Sequence, residues 1–188
     1  MGYPMLYGLT MLDIIGDIER ALQGKAYFSA LALSLAIVEK CAKVENDGDG
    51  GKINYSKWAD KHLFEGYKDH DRKTSFGKIL PYMNGEILYQ LRCSMLHDVS
   101  SELDYNRITD KENKLSSFVL IIVEYNEFLP DSIHSVNDQN EKEIDIYIEP
   151  LCHKICEAAK QYYEKNKDKF KGVIRVMDCN NLLKESVK

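Results

Sequence analysis

The stretch that decides the fold is Ala26-Tyr27-Phe28-Ser29-Ala30-Leu31-Ala32-Leu33-Ser34-Leu35-Ala36-Ile37-Val38-Glu39-Lys40-Cys41-Ala42-Lys43. Phe28, Leu31, Leu33, Leu35, Ile37 and Val38 fall nearly all round a helix of this length. Such a helix is central and covered by other elements. Its most apolar part, residues 26–38, contains Ser29 and Ser34. That part is well short of the roughly 20 residues that a bilayer span needs.

Outward from this helix the pattern stays helical. Thr10-Met11-Leu12-Asp13 forms a capping box that opens a first helix, with Leu12, Ile15, Ile18 and Leu22 as its stripe and Gly24 as its break. Residues 45–51 (Glu-Asn-Asp-Gly-Asp-Gly-Gly) are a turn. They fail the register of a calcium loop, because Lys52 and Ser56 fall where an apolar residue and a bidentate Glu belong. Glu86 to His97 reads as a third helix, with Ile87, Leu88, Leu91 and Met95 on one arc. Phe118 to Val123 reads as a buried strand. Ile144, Ile146 and Ile148 alternate with polar residues as a half-buried strand. The polar loop 126–143 separates the two strands. Pro150 suits the first position of a last long helix, with the stripe Leu151, Ile155, Ala158 and Tyr162. Gly172 precedes a weak strand, 173–177. The expected architecture is mainly α: one domain over 1–188, a helical core of about 10–100 and 150–170, and a β-hairpin or small sheet inserted at about 116–149.

Length and charge narrow the function. One domain of 188 residues needs neither metal nor disulfide to fold. The five cysteines are scattered and odd in number, which suits reduced thiols and a cytoplasmic compartment. Cys152-His153-x-x-Cys156 lacks the second ligand pair that zinc requires, so neither a metal nor a cofactor is expected. The net charge of −5 excludes a broad phosphate-binding surface. Residues 124–149 hold eight acids and one base, so the acidity belongs mainly to the inserted β-region and leaves room for a local nucleic-acid site. That acidic element suits a basic protein partner. Residues 50–80 are basic with interleaved aromatics, and Lys57, Trp58 and Lys61 are candidate RNA or dimer contacts.

The segment with chemical capacity is Arg92-Cys93-Ser94-Met95-Leu96-His97, at the end of the third helix. Arg and His five apart lie about 140° apart on an ideal helix and would flank a groove. The imidazole can move a proton near neutral pH. The guanidinium offers a planar fork to phosphate oxygens. With a ribose 2′-hydroxyl as nucleophile, the two form a minimal metal-independent ribonuclease toolkit. An Arg and a His at a helix end also suit capping and ion-pair roles.

The segment 88–98, Leu-Tyr-Gln-Leu-Arg-Cys-Ser-Met-Leu-His-Asp, resembles the R-x-x-x-x-H signature of the HEPN superfamily (higher eukaryotes and prokaryotes nucleotide-binding). The resemblance covers about residues 10–100 plus the last helix. It implies a helical bundle, and a homodimer in which two Arg–His pairs share one cleft. It also implies metal-independent RNase activity of the kind found in toxin–antitoxin and phage-defence systems, with Arg92 and His97 as the catalytic positions. Two positions depart from the family pattern. Cys93 stands where active members often carry Asn, Asp or His, with Ser94 as a substitute support. Val99 stands where a toxin variant carries a modifiable Tyr. The other reading is a non-catalytic HEPN-like module that binds a nucleotide, RNA or protein.

Overall fold

The structure, a computed structural model, describes residues 5–65, 82–111, 113–123, 132–136, 142–170 and 174–178. Among these are five α-helices: α1 (Met11–Gln23), α2 (Tyr27–Glu45), α3 (Lys52–His62), α4 (Gly85–Cys93) and α5 (Ile148–Lys165). Five strands accompany them: β1 (Met5–Leu9), β2 (Ser117–Ile121), β3 (Ser132–Val136), β4 (Lys142–Tyr147) and β5 (Ile174–Asp178). The protein is mainly helical with a small β-element, as the sequence pattern predicts.

The centre is α2, which packs against α1, α3, α5 and α4. Leu31, Leu35, Val38, Cys41 and Ala42 are fully buried on it. Each large apolar side chain so buried contributes about 1.5–3 kcal/mol. Coverage is incomplete, because Phe28 and Leu33 are exposed. The α1 capping box is present: the Thr10 N–H donates to Asp13 Oδ2 at 2.7 Å, and the Asp13 N–H donates to Thr10 Oγ1 at 3.4 Å. Met11, rather than Leu12, joins Ile15, Ile18 and Leu22 in the core.

The sequence pattern does not identify α3. Gly51 caps it at φ 92° with no side-chain hydrogen bond, so it lacks a Ser, Thr, Asp or Asn start signal. Tyr55, Trp58 and Ala59 anchor it in the core. The helix expected third in chain order is therefore α4. It is capped by Asn84 Oδ1, which accepts the Ile87 N–H at 2.9 Å. Its stripe Ile87, Leu88 and Leu91 is buried, as expected. Pro150 occupies the third position of α5, because the helix already begins at Ile148.

The inserted sheet has the order β2-β4-β3, with β2 parallel and β3 antiparallel to β4. Ile144 and Ile146 face the core from β4. Strand β3 and the first two residues of β4, Lys142 and Glu143, lie inside the span 126–143 read from sequence as a polar loop; the rest of that span is outside the described residues. The weak C-terminal strand is β5, and it pairs antiparallel with β1, from Met5↔Asp178 to Leu9↔Ile174. No helix among the described residues is long and apolar enough to cross a membrane.

Helices α3 and α4 approach closely at Gly85. A Cβ on Gly85 would stand 2.0 Å from the Ser56 carbonyl oxygen. Gly85→Ala is therefore expected to lower the unfolding free energy by about 1–3 kcal/mol through overpacking. Urea denaturation checks this, and a variant as stable as the wild type would contradict the close approach.

Candidate functional site

Arg92 lies in the last turn of α4, where it is half-buried. One of its terminal nitrogens pairs with Glu39 Oε2 on α2, and the two side chains are 19% and 23% exposed. Its Cζ stands 6.0 Å from the Tyr89 ring centroid. Tyr89 in turn packs edge-on against Tyr55 of α3, with centroids 5.4 Å apart. The Tyr55 hydroxyl donates to the Leu35 carbonyl at 3.3 Å. Three helices thus hold one guanidinium. Its Nε is buried without a hydrogen-bond partner among the described residues.

Beyond Cys93 the helix changes form. Ser94–Asp98 is a π turn, closed by Val99 at φ 48°, ψ 47°. In a π turn the backbone bond runs between residues five apart. The helix therefore widens between Arg92, which is still in α4, and His97, which stands on the π turn. His97 is exposed on it. Leu96 and Val99 beside it are also exposed, Val99 at 80%.

Glu39 is the ion-pair partner of the first signature residue, Arg92. The Lys43 ammonium hydrogen-bonds to its carboxyl and holds it below the ordinary glutamate value of 4.5, against the opposing effect of burial; the positive charges of Arg92, Lys43 and His97 add to that pull. The Lys43–Glu39 contact is 2.8 Å. The sequence reading does not single out Glu39. One signal is present in the chain: it is the only carboxylate within 26–43. An acid in so apolar a helix needs a cation.

The supporting residues separate. Cys93 is half-buried and interacts with Tyr89, whose hydroxyl is raised first by burial and then by Cys93. Ser94 is buried, and its hydroxyl donates to the Glu102 carbonyl at 2.7 Å. It therefore braces the turn and does not face the exposed imidazole. Trp58 is corrected outright as a contact residue. It is 1% exposed, packed against His62 and Tyr162 with centroids 4.7 and 5.8 Å away. A stacking platform needs an open face. Lys57 is exposed, whereas Lys61 is exposed but ion-paired with Glu45. The structure does not gather Lys57 and Lys61 with Arg92 and His97 through any bond among the described residues. Lys52, of the same stretch, pairs with Glu86 at 2.9 Å, and its other basic residues, from Lys68 to Lys78, lie outside the described residues.

Cys152 and Cys156 are buried on α5, and burial pushes their thiols up to about 11 and about 12. His153 is exposed on the same helix. Thiols held protonated are poor metal ligands. No group of three or more His, Cys, Asp or Glu among the described residues is placed to hold a metal ion. Comparison with protein-family models, with curated proteins and with solved structures finds no match.

Ionised Glu39 stabilises the fold above its ordinary value of 4.5, and that contribution is lost as pH falls through its lower folded value. Glu39→Gln is expected to cost about 1–2 kcal/mol near neutral pH, between the values of exposed and buried pairs. The penalty shrinks on acidification below 4.5. Urea midpoints across the acid range check this; a penalty that does not change with pH would refute it.

Proposed function

We propose that the chain is a HEPN-type, metal-independent endoribonuclease, with Arg92 and His97 forming a composite site across a homodimer. The observation that carries the reading is the arrangement at the end of α4. A guanidinium anchored by Glu39 lies in the last turn of α4, and an exposed imidazole lies on the π turn that follows it directly.

The chemistry needs few groups. The ribose 2′-oxygen attacks phosphorus, forming a 2′-O–P bond while the P–O5′ bond breaks. One His97 accepts the 2′-hydroxyl proton, and the His97 of the second copy protonates the departing 5′-oxygen. Arg92 neutralises charge on the phosphorane oxygens. The products are a 2′,3′-cyclic phosphate and a 5′-hydroxyl. Leu96 and Val99, exposed beside His97, give a second copy an apolar edge to cover.

A second reading has its own support. Arg92 is already paired with Glu39 and largely covered, which suits a non-catalytic module that binds a nucleotide, RNA or protein through the exposed His97 turn.

Incubation of the full chain with RNA in EDTA separates the two. The expected result is cleavage to cyclic-phosphate ends, with Arg92→Ala and His97→Ala each reducing the rate by about 100-fold or more. Intact RNA with the wild type, or equal cutting by both variants, defeats the ribonuclease reading. Light scattering is expected to show a dimer; a persistent 21.7 kDa species would count against the composite site.

A further inference from the structure

The turn that carries His97 is fastened at one buried residue. Ser94 is 4% exposed. Its hydroxyl donates to the Glu102 carbonyl at 2.7 Å. Its own carbonyl accepts the Val99 N–H and, at 3.2 Å, the Ser100 N–H. The segment it grips is tied down in turn. The Phe118 N–H donates to the Ser101 carbonyl at 3.1 Å, and the Leu103 N–H donates to the Ser116 carbonyl at 2.9 Å. The turn is thereby anchored to the edge of β2.

That anchorage answers a local strain. Val99 adopts φ 48°, ψ 47°, the left-handed region that a β-branched residue avoids. Such a conformation persists only where its surroundings enforce it. Val99 itself is mostly exposed and packs against little. The Ser94 hydroxyl bond to Glu102 and the two backbone bonds to the Ser94 carbonyl hold it there. Without the hydroxyl bond the turn loses its side-chain tie to residues 101–103 and can relax from Cys93 into an ordinary helical turn or a loop. His97 then leaves the place that the π turn gives it.

We propose that Ser94 is the positioning residue for His97, fixing the π turn that sets the imidazole relative to Arg92 and Glu39. The proposal rests on the ribonuclease reading and names what sets the geometry of that site. Ser94 touches no substrate in this account; it acts through the backbone of the turn.

The test uses the full chain and the variants Ser94→Ala, Ser94→Thr and the double variant Ser94→Ala with Val99→Gly. In the EDTA cleavage assay, Ser94→Ala is expected to lose about ten- to a hundredfold in kcat, with KM changed by less than about twofold. Ser94→Thr keeps the hydroxyl and restores most of the rate. The double variant also recovers, because glycine accepts the left-handed conformation without strain. Wild-type kcat in Ser94→Ala, even with a lowered melting temperature, overturns the proposal, as does a Ser94→Thr variant as slow as Ser94→Ala. A second measurement needs no activity: exchange of the Val99 and Ser100 amide hydrogens, both bonded to the Ser94 carbonyl, is followed by NMR. Ser94→Ala is expected to speed it by about tenfold or more, and Ser94→Thr to leave it near the wild-type rate. Unchanged exchange in Ser94→Ala overturns the positioning role. If wild-type protein leaves RNA intact while Ser94→Ala still speeds exchange at the turn, the ribonuclease reading fails and the positioning role stands.

Discussion

The described helices are arranged round the need to cover α2. It carries apolar residues on most of its circumference, so α1, α3 and α5 pack along it, with α4 at its far part, and only Phe28 and Leu33 among its large apolar residues are left exposed. That requirement places Glu39 where it matters. The carboxylate sits on the same helix as fully buried Val38, Cys41 and Ala42, and it is itself mostly covered. A charge so placed must be met by cations. Lys43 meets it from one turn along the same helix, and Arg92 meets it from α4. The residue that solves an electrostatic problem of the core thereby anchors the guanidinium of the site.

The second half of the site is organised from the opposite direction. His97 stands on a turn that belongs neither to the bundle nor to the sheet and is fastened to both. Met95 buries itself against the helical core, while the Ser94 hydroxyl reaches Glu102. Residues 101–103 then run along β2, whose other side pairs with β4. The inserted β-element is thus an outer brace for the His97 turn. On β4, half-buried Glu143 and Asp145 alternate with the buried Ile144 and Ile146. Burial, and then Glu143, raise the Asp145 carboxyl above its usual value.

Particular residues show how far the chain could be read in advance. Thr10 with Asp13, and the Ile87, Leu88 and Leu91 arc, are local signals, and both helices form where those signals predict. Helix α3 carries no comparable signal. It starts at a glycine, and Lys57 and Lys61 interleave with Tyr55 and Trp58, so the stretch has the look of a wet, basic surface. Its aromatic residues are instead core. Strand β1 escapes the sequence pattern for a different reason: Met5-Leu6-Tyr7-Gly8-Leu9 shows no polar–apolar alternation and contains a glycine. Only its pairing with β5, near the other end of the chain, marks it as a strand.

The sequence by itself determined a mainly helical domain about one apolar helix, a β-insert before the last helix, and the placement of Arg92 and His97 at a helix end. These follow from periodicity, capping and turn residues, which act over a few positions. Only the tertiary structure decided that Glu39 meets Arg92, that Trp58 is buried, and that the helix widens into a π turn before Val99. Those outcomes depend on contacts beyond one segment: Glu39 with Arg92 and Trp58 with Tyr162, far apart in the chain, and Ser94 with a carbonyl eight residues on that is itself tied to the sheet. Nothing in the spacing of residues along one segment encodes which distant side chain or carbonyl will be packed against it.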